Sequence, residues 1–184
     1  MSIGTCLAVE SGLILLKDSP ADMAIFTSRH GELERTHKIL QNLHQQQPLS
    51  PTDFAMSVHN TAAGWLTIMA KNTLPTTSLA AGEDSFQQGM IEAQAVLATG
   101  SAERVLLIDF DGIVPDVYRP FAPESSAPYA VALLLESGGT LQCQVTTPEQ
   151  VSHEPQSLSF LRGWLSADDE FTVPGQRHGW LWKR

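Results

Sequence analysis

Apolar and polar positions alternate in readable blocks from Ala24-Ile-Phe-Thr27, a short run that predicts a strand. Between Gly31 and Gln47 apolar residues recur at Leu33, Ile39, Leu40 and Leu43, the spacing of an amphipathic helix that Pro48 stops. Asn60 or Thr61 can cap a second helix through Lys71. Its apolar positions, Ala62, Ala63, Trp65, Leu66, Ile68 and Met69, run almost all round, which predicts burial on most sides. After Pro75 the pattern predicts an extended stretch (Thr76, Thr77, Ser78, Leu79, Ala80), a tight turn (Ala81, Gly82, Glu83, Asp84, Ser85) and a helix. Phe86, Met90, Ala93 and Leu97 form that helix's stripe, and Gly100 ends it. Asp84 or Ser85 is placed to cap it, with Gln88 in the capping-box position relative to Ser85. Arg104 to Asp109 and Tyr129 to Glu136 are nearly continuous apolar runs, as expected of strands covered on both faces. Gly138-Gly139 predicts a hairpin from the second of these into Leu141 to Thr146. A short helix around Phe160 to Leu165 and an aromatic end, Gly179-Trp-Leu-Trp-Lys-Arg184, follow. Helices alternating with buried strands give an α/β class, a mixed sheet with flanking helices and an antiparallel edge.

Length and charge narrow the picture. The chain has 184 residues, which favours one domain over 1–184, with 148–184 as an aromatic C-terminal extension. A hydrophobic share of 42% suffices for a core. No run approaches the ~18 apolar residues of a membrane span. Met1 to Lys17 has no basic segment before its apolar run and no small-residue cleavage site after it, so it does not read as a signal peptide. The formal net charge is −9 with no Lys/Arg cluster, which argues against nucleic acid and anionic membrane as partners. Direct capture of an acidic carrier by this chain alone is disfavoured for the same reason. The two cysteines, Cys6 and Cys143, lie far apart without metal-ligand spacing and read as free buried thiols of a reducing cytoplasm.

Candidate chemistry is sparse. A strand-to-helix turn such as 79–85 is where a catalyst would hang a nucleophile, yet no cysteine occupies it. Ser85 could be a serine nucleophile, but the G-x-S-x-G pattern is missing and capping is the favoured reading. Glu83 and Asp84 are adjacent, so their carboxylates diverge instead of facing a common cleft. His30, His37, His44, His59, His153 and His178 show no ligand spacing; His37 and His44 are about 10 Å apart along one helix. No metal site and no cofactor is expected. Asp109 and Asp111, in Asp-Phe-Asp-Gly, suit either a functional strand end or a simple turn. Trp164, Trp180 and Trp182 read as packing or interface aromatics.

From Leu49 to Gly112 the sequence carries Ser50-Pro51, Asn60-x-x-Ala63-Gly64, Leu66-Thr-Ile-Met69 and Pro75. In that order and spacing it resembles the N-terminal half of the β-ketoacyl-acyl carrier protein synthases. Arg29-His-Gly-Glu-Leu-Glu34, Ser57-Val-His-Asn-Thr-Ala62 and Ala80-Ala-Gly-Glu-Asp-Ser85 make it most similar to the short synthase-like subunits of aryl polyene pathways, from about Ser28 to Trp182. The resemblance implies a thiolase-like fold represented by one N-terminal-type half, the C-terminal half being missing. Active members of the family present a Cys at the turn; this chain is two residues short between Pro75 and Gly89 and holds Ala81, Gly82 and Glu83 there. The family's catalytic His pair and Lys belong to the missing half.

What the resemblance implies is a catalytically silent, chain-length-factor-like subunit. It would pair with a full-length ketosynthase, which contacts the acyl carrier protein, in aryl polyene or type II polyketide (fatty-acid-like) biosynthesis. Thr76, Thr77, Ser78, Leu79 and Ala80 would form the dimer strand, and Thr52, Asp53, Phe54 and Met56 the partner-facing wall of the acyl tunnel. Two rivals stay open: a small acyltransferase or thioesterase using Ser85, Glu83 or His59, and a homodimeric acyl-binding module.

Overall fold

A computed structural model describes residues 1–122, 127–139, 141–147 and 154–184. In chain order the elements are α1 (Ile3–Asp18), β1 (Met23–Thr27), α2 (Leu33–His44), α3 (Pro51–Ala55), α4 (Thr61–Ala70) and β2 (Thr76–Leu79). A 3-10 turn, Gly82–Asp84, leads into α5 (Ser85–Ala98), β3 (Arg104–Asp111), a second 3-10 turn (Asp116–Phe121) and β4 (Tyr129–Glu136). Then come β5 (Gln142–Thr146), α6 (Gln156–Leu165), β6 (Glu170–Val173) and β7 (Gly179–Lys183).

The main sheet has the order β2-β1-β3-β4, with β2, β1 and β3 parallel and β4 antiparallel. That is the α/β architecture with an antiparallel edge expected from the alternation of elements. Strand periodicity divides the core between the two faces. Ala24, Phe26, Leu106, Ile108 and Phe110 face α1 and α4, where Ala8, Val9, Ala62, Ala63 and Leu66 meet them. Ile25, Val105 and Leu107 face the other way, onto Phe86 and Ala93 of α5 and onto Phe160, Val173, Trp180 and Trp182 of the C-terminal region.

Helix α1 escaped the pattern analysis because its apolar residues do not collect on one stripe. Ser2 caps it, accepting from the Thr5 amide at 3.2 Å. Its buried face is made of small residues, Gly4, Thr5, Ala8, Val9 and Gly12, which let the backbone lie close to the sheet. A Cβ on Gly4 would stand 2.7 Å from the Gly112 nitrogen.

Several expectations need correction. The predicted β4–β5 hairpin does not form: β4 pairs with β3, whereas β5 joins a second sheet of order β5-β7-β6. The cause is the aromatic end, whose Trp180 and Trp182 bury one face of β7 against Phe160 and offer β5 a better-covered neighbour. Helix α4 is not buried on most sides, since Ile68 is 67% and Met69 48% exposed. The stripe of α2 is likewise open to solvent at Leu40 and Leu43. Neither Asn60 nor Asp84 uses its side chain to cap the helix it precedes. Cys6 and Cys143 are free, as expected, but exposed instead of buried. His153 and the first residues of the 148–184 segment lie outside the described residues. No helix among the described residues is long and apolar enough to cross a membrane.

Candidate functional site

The strand β2 stands at the open edge of the main sheet, paired with β1 from Ala24↔Thr76 to Thr27↔Leu79. The last rung is the Ser28 amide donating to the Leu79 carbonyl at 3.3 Å. Thr76 and Ala80 are exposed, Thr77, Ser78 and Leu79 half-buried. The edge that the resemblance assigns to dimer formation is thus free of any strand neighbour among the described residues.

Beyond β2 the chain turns through Ala81 and Gly82, whose φ of +64° needs the freedom of glycine. Ser85 closes this turn. Its Oγ accepts from the Ala81 amide at 2.9 Å and donates to the Gly82 carbonyl at 2.7 Å, and the residue is 3% exposed. A hydroxyl whose proton is committed to a carbonyl inside a turn is not presented as a nucleophile, so the Ser85 capping expectation becomes a turn-closing role. His59 does not serve it either, its Nε2 lying 3.1 Å from the Ser28 carbonyl oxygen. Glu83 is half-buried and forms an ion pair with Arg29 at 3.4 Å. Asp84 points inward, where its Oδ1 accepts from Gln156 Nε2 at 3.0 Å and from the Gln176 amide at 2.9 Å. The divergence of the adjacent carboxylates, expected from sequence, is observed.

Behind the turn lies a buried polar cluster. Asp109 and Asp111 sit two apart on β3 and therefore share a face. Asp109 accepts from Thr27 Oγ1 (2.6 Å), Ser157 Oγ (2.6 Å) and the Tyr129 hydroxyl (3.0 Å). Asp111 accepts from Ser28 Oγ (2.6 Å) and from the amides of Arg29 (3.2 Å) and His30 (2.8 Å). Burial pushes the Asp109 carboxyl up to about 6, against the pull of the Ser157 and Thr27 hydroxyls, with the neighbouring Asp111 charge adding to the rise. Burial, followed by the charges of Asp109 and Asp111, raises the Tyr129 phenol well above its ordinary range. Both carboxylates spend their acceptor capacity on the ends of β1, β4 and α6, so they organise the strand ends instead of facing a cleft.

The proposed wall segment is a separate, solid feature. Ser50 caps α3 by accepting from the Asp53 amide at 3.2 Å, with Pro51 at the first helical position. Asp53 is clasped by Arg35 at 2.6 Å and Lys38 at 3.2 Å, which fixes α3 on α2. The Lys38 hydrogen bond leads the interactions holding its carboxyl below the usual range, Arg35 adding to it. Phe54 projects outward with 69% exposure, Thr52 is exposed and Met56 half-buried. Thr52, Asp53, Phe54 and Met56 therefore stay together on one short element. Among the described residues no group of three His, Cys, Asp or Glu side chains is placed to hold a metal ion. Trp180 and Trp182 pack in the core, while Trp164 is 40% exposed with the Arg184 guanidinium 5.0 Å above its ring.

Two features were not assigned from sequence. Arg29 stands in a motif noted above, yet nothing local announces its pairing with a residue fifty-four positions on. The Asp-x-Asp spacing did signal a shared face, but the donors that meet it come from distant segments.

Comparison with known proteins follows the same line. Residues 1–183 match the family described as "Beta-ketoacyl synthase, N-terminal domain". A chain of the solved complex of the ketosynthase ApeO with its chain length factor ApeC from Xenorhabdus doucetiae is 48% identical, with a TM-score of 0.96, over 100% of this chain and 78% of that one. The ishigamide ketosynthase/chain length factor is 18% identical with a TM-score of 0.65, over 79% of this chain and 49% of that one. 3-Oxoacyl-(acyl carrier protein) synthase III, FabH, from Pseudomonas aeruginosa PAO1 is 14% identical with a TM-score of 0.51, over 83% and 47%. The last two share the fold, and the chain spans about half their length, as a single thiolase-like half does. No curated protein matches. The chain belongs to the β-ketoacyl synthase N-terminal domain family.

Proposed function

We propose that this chain is the chain-length-factor-like partner of a full-length ketosynthase in cytoplasmic aryl polyene or related type II polyketide biosynthesis. It forms no bond itself. It stabilises the ketosynthase through the β2 edge and bounds the acyl tunnel with Thr52, Asp53, Phe54 and Met56, while the ketosynthase meets the acyl carrier protein. The observation that carries this reading is the whole-chain likeness, at 48% identity and TM-score 0.96, to a chain of a ketosynthase–chain length factor complex. The sequestered Ser85 hydroxyl and the Glu83–Arg29 pair at the turn support catalytic silence, because neither leaves a free nucleophile or base.

Co-expression with a full-length ketosynthase of an aryl polyene pathway, followed by native mass measurement, is expected to yield a one-to-one heterodimer. The purified chain alone is expected to leave malonyl and acyl carrier protein thioesters intact. Turnover lost on Ser85→Ala would establish the acyltransferase rival instead, and a stable homodimer indifferent to the ketosynthase would establish the acyl-binding module. For the tunnel wall, Phe54→Ala is expected to lengthen and Phe54→Trp to shorten the products, each methylene admitted or refused being worth about 0.8 kcal/mol of burial. Unchanged products from both, and from the matching Met56 substitutions, would remove α3 from the tunnel.

A further inference from the structure

We infer that the outer face of α1 docks a second copy of this chain, antiparallel about a twofold axis, so that two ketosynthase complexes pair back to back. This goes beyond the reading above and uses a surface that the β2 edge leaves open. α1 packs on β3, β4 and α4, whereas β2 closes the main sheet on its other side. A partner seated on the β2 edge therefore sits across the sheet from α1, and both contacts can be made at once.

α1 carries two faces. Gly4, Thr5, Ala8, Val9 and Gly12 are buried on the sheet. On the outer side Glu10, Leu13, Ile14 and Lys17 run along a largely apolar cleft whose lining includes Met69 of α4. Steps of three, four and seven place these four residues in one line along the helix. Glu10, Ile14 and Lys17 are exposed, Ile14 by 60%, and Leu13 is half-buried. Neither Glu10 nor Lys17 takes part in an ion pair among the described residues. They stand two turns, about 10 Å, apart, beyond the spacing at which side chains of one helix pair.

Read from either end, the line runs charge, apolar, apolar, charge, and its two charges are opposite. An antiparallel copy set about a twofold axis between Leu13 and Ile14 meets it with every group matched. Glu10 faces Lys17 of the second copy, Lys17 faces its Glu10, and the apolar residues meet in the middle, at the heptad spacing of paired helices. The charges also choose the register. Moving the axis one turn toward the N-terminus sets the two Glu10 carboxylates against each other, and moving it one turn the other way does the same to the two Lys17 ammonium groups. A twofold contact of this kind closes on itself and yields pairs. One helix face is a small contact beside the roughly 800 Å² per partner of a standard interface, so the pairing is weak and builds up with concentration. At the dilution of native mass measurement the one-to-one heterodimer remains the unit.

The test is sedimentation velocity over a rising concentration series, on the full chain alone and on its complex with a ketosynthase of an aryl polyene pathway. Wild type is expected to shift in both toward twice the starting mass. Glu10→Lys and Lys17→Glu are each expected to weaken the doubling by at least about tenfold, since each sets like charges together at both ends of the contact. An equal mixture of these two variants is expected to double again, to within about threefold of wild type, because every pair across the axis is then opposite in sign. Ile14→Lys is expected to abolish doubling and to leave ketosynthase affinity within about twofold. Circular dichroism of each variant is expected to match wild type, the replaced side chains being exposed. Wild type that keeps its starting mass, doubling that the single charge reversals leave within twofold, or a mixture no more associated than either variant would overturn the pairing. Ketosynthase binding lost on Ile14→Lys would assign the cleft to the ketosynthase and overturn it as well. A wild-type chain that doubles through these residues but binds no ketosynthase would support the α1 contact and sink the functional reading alone.

Discussion

Asp109 lies 3% exposed beneath the hydroxyls of Thr27, Ser157 and Tyr129, and its carboxyl is raised from an ordinary 3.8 to about 6. A folded value above the unfolded one means that the folded chain holds the proton more tightly. The stability this provides is therefore full below an ordinary carboxyl's value and is lost as pH rises through about 6. Asp109→Asn is accordingly expected to flatten the fall in urea-unfolding stability between about pH 4 and pH 7 relative to wild type. An unchanged slope would mean that the Asp109 carboxyl does not titrate in this range. Asp53 acts with the opposite sign, its lowered value giving stability at neutral pH that is lost on acidification, so the wild-type-minus-variant difference is the informative quantity. At this scale the sequence was half legible. Strand periodicity alone puts Asp109 and Asp111 on one face, whereas Thr27 and Ser28, more than eighty residues away, join them only through the fold. Asp84 shows the limit of local rules. It stands where a cap belongs, yet a buried Gln156 amide and the Gln176 backbone compete for its carboxylate and win.

The elements divide the same way. The existence and type of β1, β2, α4, α5, β3 and β4 follow from period and punctuation, whereas burial does not always: α4 leaves Ile68 and Met69 open and β4 is mostly half-buried. α1 lacks a one-sided stripe, and β5 finds β7 across a separation that no turn signal encodes. The aromatic tail acquires its meaning from Phe160. That ring meets Phe86 at 5.4 Å, Phe171 at 5.6 Å and Trp182 at 5.0 Å, so α6 and the second sheet pack as one block. Gly163 allows it: a Cβ there would lie 2.2 Å from the Phe171 ring. Gly163→Ala should cost about 1–3 kcal/mol in unfolding experiments, by overpacking. A neutral result would show that the β6 strand moves away freely. The edge strand makes the opposite forecast. Thr76 is exposed and starts β2, so Thr76→Lys should change unfolding stability by less than about 0.5 kcal/mol. The same lysine, placed on a pairing edge, should abolish the ketosynthase complex in size-exclusion runs.

Across the whole molecule the two faces of the main sheet are unequally finished. The α5 face is sealed by the aromatic block. On the α1/α4 face a largely apolar cleft of about 470 Å³ opens among Met1, Cys6, Val9, Leu13, Ile14 and Met69, with Glu10 and Lys17 at its margins. Ile14 is 60% and Ile68 67% exposed on these helices. Ile14→Lys and Ile68→Lys together should raise the soluble yield of the chain made alone, and leave secondary structure by circular dichroism unchanged. A net charge of −9 keeps copies apart only weakly once apolar area of this kind is on offer.

Among the described residues the four-stranded sheet ends at β2 on one side and at β4 on the other. If two such sheets join through β2, as proposed, both β2 edges are covered and the β4 edges remain as the ends of one continuous ribbon. On that proposal a chain made in surplus would keep its β2 edge unpaired, and matched synthesis of the two subunits would limit edge-to-edge association.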